Sequence, residues 1–112
     1  MKLQPIVYVT DMERSTAWYA RLLGGEPDLA GGHWTTFPVE GGHLALHLTS
    51  DALDVGSVEL SLVVDEALEE VAARLPPHRG IADEAFGRSL VLRDPDGTLI
   101  QVNEHDAGLP GW

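Results

Sequence analysis

At 112 residues and 12.1 kDa the chain is long enough for one domain with its own core, but most of that core lies close to the surface. Its 18 Asp and Glu against 7 Lys and Arg give a formal charge of -11, which repels phosphate backbones and anionic headgroups and so excludes nucleic acid and a membrane surface as partners. Without cysteine, neither a disulfide nor a thiolate site is open to it. Residues 1–5 lack the apolar core of a signal peptide, and no run approaches the roughly 18 apolar residues of a membrane span, so a cytoplasmic protein is expected.

Residues Gln4 to Thr10 alternate as a strand, with Gln4, Ile6 and Tyr8 on one face and Val7 and Val9 on the other. Asp11 then has the chemistry of an N-cap for a helix whose apolar stripe is Met12, Ala17, Trp18, Leu22 and Leu23, which makes Trp18 a core residue. Gly24-Gly25 ends it. A short edge strand near Glu26 to Ala30 precedes a hairpin, His33 to Val39 and His43 to Thr49, joined at Gly41-Gly42. That turn sets Glu40 opposite His43. Trp34, Thr36, Ala45 and His47 share one face, and Leu44, Leu46 and Leu48 look to a core from the other.

Residues 50–56 read as a linker, after which the pattern restarts. Val58, Leu60, Leu62 and Val64 form one face of a strand, and Glu59, Ser61 and Val63 the other. Asp65 is the expected cap of a helix through Leu75 that carries Leu68, Val71, Ala72 and Leu75 at helical spacing and is stopped by Pro76-Pro77. Strands follow at about Ile81 to Phe86 and Ser89 to Arg93. Asp94-Pro95-Asp96-Gly97 is then a turn for separable reasons: an Asx acceptor, a proline that presets φ, and a glycine free to take positive φ. From Thr98 the last strand aims Ile100 and Val102 one way and Leu99, Gln101 and Asn103 the other. Strand, helix and three strands thus occur twice, in residues 1–49 and 57–104, with a tail over 105–112.

The Asp94-Pro95-Asp96-Gly97 turn, the opening Tyr8-Val9-Thr10-Asp11 with Ser15, Trp18-Tyr19 and Leu23-Gly24, and the repeated order together resemble the vicinal oxygen chelate superfamily. This is the group of glyoxalases, bleomycin-resistance proteins and extradiol dioxygenases, and the likeness covers nearly the whole chain. It implies an α+β fold of two βαβββ modules whose curled mixed sheets form a cleft, often across a homodimer. Metal-using relatives carry one ligand on the first strand, seven residues before the helix-opening aspartate, which falls on Gln4. The others fall on His47, Glu59 and Gln101, the last standing where the family usually has a glutamate.

Zn, Ni, Mn or Fe held by Gln4, His47, Glu59 and Gln101 is therefore one implied site, suited to a lyase, isomerase or dioxygenase. Two neutral amides are poor substitutes for carboxylates. The other implied reading needs no cofactor: a cleft that sequesters a small cationic or aromatic molecule or antibiotic, contacted by Trp34, Thr36, His47, Glu59, Ser61, Gln101 and Asn103, with Trp34 as a stacking platform. On that reading His47 and Glu59 pair with each other or with ligand. Trp34 suits a core or interface equally well. Trp112 either frays or closes over a dimer partner. His33, His43, His78 and His105 are weaker candidates, and no Ser-His-Asp spacing, phosphate loop or paired-cysteine motif occurs.

Overall fold

A computed structural model describes residues 1–51, 54–84 and 86–106. Along the chain run β1 (Lys2–Leu3), β2 (Ile6–Val9), α1 (Met12–Leu23), β3 (Leu29–Ala30), β4 (Trp34–Val39), β5 (Gly42–Leu48), β6 (Val58–Val63), α2 (Leu68–Arg74), β7 (Arg79–Glu84), β8 (Gly87–Arg93) and β9 (Leu99–His105). The strands join one curled mixed sheet in the order β3-β4-β5-β1-β6-β9-β8-β7, with β2 continuing β1 between β5 and β6. The two βαβββ units thus meet edge to edge: β2 pairs β5 in parallel inside its own unit and β6 antiparallel across the seam.

The expected first strand is divided because Pro5 has no N–H to donate. Register nonetheless runs through the break, with Leu3 opposite Leu62 and Ile6 opposite Glu59, so residues on both sides keep their faces. The β4–β5 hairpin turns at Glu40-Gly41 instead of Gly41-Gly42, pairing Val39 with Gly42 and Pro38 with His43. Gly41, at φ 85°, supplies the left-handed conformation that a tight hairpin needs. A shift of two positions preserves parity, so Trp34 lies beside His47 and Thr36 beside Ala45 on the inner face, as alternation requires.

Helix α1 opens as expected, the Arg14 N–H donating to Asp11 Oδ1 at 3.0 Å, and closes on Gly24 at φ 74°. Its buried stripe is different. Met12, Tyr19 and Ala20 pack on Val9, Phe37 and Leu46, whereas Trp18 is 51% exposed and Leu22 62% exposed. Trp18 is therefore not a core residue; its ring meets Tyr19 edge-on at 4.9 Å. Helix α2 begins later than expected, after Ala67, which offers no side-chain cap, so Asp65 is not its N-cap. The cap comes from another element: Glu104 Oε2 on β9 accepts the Leu68 N–H at 3.2 Å.

Two apolar clusters result. One gathers Val9, Met12, Phe37 and Leu46 beneath α1; the other gathers Val64, Leu68, Val71, Leu90, Leu92 and Val102 beneath α2. Each fully buried Leu or Phe contributes about 1.5–3 kcal/mol of transfer free energy. The expected apolar face of β6 is covered only at its far end, with Val58 63% and Leu60 40% exposed. The Asp94 turn holds as expected, Oδ1 accepting the N–H groups of Asp96 and Thr98 at 3.0 and 2.8 Å. Strand β9 runs through His105, and residues 107–112, Trp112 included, lie outside the described residues.

Candidate functional site

The inner face of the sheet is a cup, and its ends close on each other through aromatic rings. Trp34 from β4 and Phe86 from the β7–β8 turn stack at 5.9 Å and 22°, with Trp34 edge-on to His47 at 6.1 Å. They wall a cavity of about 590 Å3 whose floor includes Ile6, Tyr8, His47 and Gln101 and whose rim carries His33 and Glu84. Both walls belong to one chain, one from each of its paired modules. Among the described residues no Lys or Arg lines it.

Glu59 lies at the seam between modules. The Tyr8 hydroxyl donates to its Oε2, and Gln101 Nε2 donates to its Oε1 at 3.4 Å. Gln101 Oε1 in turn accepts from Asn103 Nδ2 at 3.0 Å, which also reaches Ser61 Oγ at 3.4 Å. Ser61 Oγ donates to the Gln4 carbonyl at 2.7 Å. A hydrogen-bonded chain therefore crosses β9, β6 and the β1–β2 junction under the cavity floor. Burial, and then the Glu59 carboxylate, push the Tyr8 phenol well above its ordinary range, so Tyr8 remains a donor. His47 Nδ1 donates to the Leu48 carbonyl at 2.8 Å.

Of the residues expected from sequence, Trp34, His47 and Gln101 line the cavity, and Glu59 stands behind Tyr8 and Gln101. Thr36, Ser61, Asn103 and Gln4 face inward, but all four are sealed at 0% exposure. Thr36 is committed to Asp28 Oδ1 at 2.7 Å, and the other Asp28 oxygen meets His43 Nε2 at 2.9 Å. Burial opposes ionisation of Asp28, yet these two partners outweigh it and hold the carboxyl below its usual range. Tyr8, Glu84 and Phe86 were not among the expected contacts. Tyr8 was legible as an inward residue of the first strand; Phe86 depends on which loops meet in space.

As arranged, Gln4, His47, Glu59 and Gln101 do not fit a divalent ion. Both Glu59 oxygens already accept hydrogen bonds, Gln101 presents its nitrogen to Glu59 and its oxygen to Asn103, and the Gln4 side chain is sealed. An ion of this kind needs anionic or imidazole donors converging at about 2.0–2.2 Å. Among the described residues no group of three or more His, Cys, Asp or Glu could hold one.

Comparison with known proteins gives the same architecture. The family model described as "Glyoxalase/Bleomycin resistance protein/Dioxygenase superfamily" matches residues 3–102. No curated protein matches the chain. Among solved structures, a Legionella pneumophila protein described as an NAD-dependent benzaldehyde dehydrogenase superposes with TM-score 0.72 at 18% identity, over 93% of this chain and 99% of that one. A glyoxalase/bleomycin resistance protein/dioxygenase superfamily member from Vibrio splendidus 12B01 gives 0.65 at 14% identity, over 92% and 97%. An uncharacterized protein from Methanosarcina mazei gives 0.66 at 19%, over 100% and 98%. At such identities these likenesses show the fold alone.

Proposed function

Because this chain belongs to the glyoxalase/bleomycin resistance protein/dioxygenase superfamily, we propose that its cup sequesters a small planar organic molecule, neutral or cationic, of the kind that includes aromatic antibiotics. The observation that carries this reading is the Trp34–Phe86 pair walling a cavity that has Glu84 at its rim and no Lys or Arg in its described lining. A flat ligand against either ring gains roughly 0.5–1.5 kcal/mol from stacking beyond its buried area. A positive charge over Trp34 gains a further ~0.5–1 kcal/mol where the site stays wet. An anion would meet Glu84, with no Lys or Arg in the described lining to offset it. Holding a ligand needs no activated water, and the hydrogen-bonded floor serves to keep Tyr8 and Gln101 in place.

Fluorescence titration with acridine orange, a planar cation, tests this. Quenching that saturates is expected, and Trp34→Ala should weaken binding by about tenfold or more. Glu84→Gln should weaken the cation and spare an uncharged acridine. Absence of saturable binding by any planar probe, or tighter binding of an anionic dye than of the cation, would overturn the reading.

A further inference from the structure

Strand β7 carries a bulge. Arg79 pairs with Val91 and Ala82 with Ser89, so three steps along β7 match two along β8. Simple alternation would send Arg79 and Glu84, which lie an odd number of residues apart, to opposite faces of the sheet. The extra residue reverses that parity. Both side chains come to the inner face with Ser89, whose partner on β9, Asn103, stands on it too.

The two charged groups converge on the serine. Arg79 Nη2 donates to Ser89 Oγ at 2.6 Å, and Ser89 Oγ donates to Glu84 Oε1 at 2.9 Å, while Arg79 Nη1 is tied to the Gly80 carbonyl at 2.8 Å. A hydroxyl has one proton to give and lone pairs to receive, so it can stand between a guanidinium and a carboxylate and satisfy both. Ser89 is 1% exposed, which keeps water from replacing either bond. Arg79 and Glu84 themselves make no direct ion pair among the described residues. Glu84 stands at the cavity rim, and its Oε2 has no partner among those residues. Take the hydroxyl away, and a guanidinium and a carboxylate on one face are free to close on each other through the stronger, charge-assisted bond.

We propose that Ser89 is a spacer that sets the charge preference of the cup: it fixes Glu84 through one carboxylate oxygen and holds Arg79 off the other, which is left for the positive group of a planar ligand. Arg79 is a competitor for that position built into the chain itself. Ser89 and Arg79 touch no ligand; they are positioning residues that act through Glu84. The proposal rests on the reading of the cup as a site for planar molecules, and adds to it the residues that select a cation.

Paired fluorescence titrations with acridine orange and with uncharged acridine test it, circular dichroism of each variant matching that of the wild type. Ser89→Ala lets Arg79 close on Glu84, and should weaken the cation by about two- to fivefold, the strength of one exposed ion pair, while sparing the neutral probe. Arg79→Gln added to Ser89→Ala should return the cation to at least wild-type affinity, a rescue that a merely structural role for Ser89 would not give. Equal loss of both probes in Ser89→Ala, loss of neither, or a double variant no better than the single one overturns the proposal. A crystal structure of ligand-free Ser89→Ala separates the spacer from the reading of the cup. Arg79 in contact with Glu84 supports the spacer even if the wild type binds no planar probe, and Arg79 still apart from Glu84 overturns it however well the probes bind.

Discussion

The ring of His105 lies 4.8 Å from Phe86, which in turn stacks on Trp34. Burial, and then the nearby His43, lower its pKa to about 4, with Asp106 pulling weakly the other way. The unfolded chain, where the ring titrates near 6.5, therefore binds more protons than the native state between those two values. The stability that His105 contributes is full above pH 6.5, falls as pH drops towards 4, and levels off below. Asp28, the carboxylate that holds His43 from the β3 side, is itself held below its usual range, so its own loss of stabilisation comes at lower pH. His105→Phe keeps a ring against Phe86 and removes the titrating nitrogen. Its thermal midpoint should change less between pH 6.5 and 4 than that of the wild type. Equal slopes for the two proteins would show that His105 does not titrate in this way.

Among the elements, α2 shows best what the sequence could and could not disclose. Its apolar spacing was plain, and Leu68 and Val71 are buried as that spacing requires. Its start was not, because Asp65 looked like a cap while the group that serves is Glu104, 36 residues away at the level of the backbone bond. The helix is only seven residues long, too short to persist without help from outside. Glu104 also holds Arg88 on β8, whose guanidinium reaches Glu69 on the helix, so one carboxylate ties together three elements. Glu104→Ala should cost about 1 kcal/mol in urea unfolding, and Glu104→Gln, which keeps an acceptor for Leu68, should cost less. An Ala variant as stable as wild type would mean that packing alone sets the helix. The same division holds at the cup: alternation correctly placed Thr36, Ser61 and Asn103 on the inner face, but alternation reports a face and says nothing of depth, and all three are sealed. Trp18 differs from expectation for a related reason, since an apolar residue at helical spacing cannot reveal that its helix is covered on one side only.

For the molecule as a whole, the decisive contact is the antiparallel pairing of β1 and β2 with β6, because it makes one sheet of two repeated units. Neither unit is insulated from the other: β2 is edged on one side by β5 and on the other by β6, and the chain of hydrogen bonds from Gln4 to Ser61, Asn103, Gln101 and Glu59 crosses the same seam. Opening one module would strip partners from the first strand of the other, so unfolding should be a single cooperative event. Urea curves followed by far-ultraviolet circular dichroism and by tryptophan fluorescence should therefore coincide. Added salt acts on that event through the charge of -11 carried by 112 residues. The Debye length contracts from about 30 Å at 0.01 M to about 10 Å at 0.1 M, which removes self-repulsion across the 41 Å length of the molecule but scarcely weakens hydrogen-bonded pairs in contact. Salt should raise the common midpoint without altering the slope of unfolding free energy against urea, since the surface exposed is the same. Two separated transitions, moved apart by salt, would mean that the modules unfold independently and that the seam is too weak to hold a shared cup.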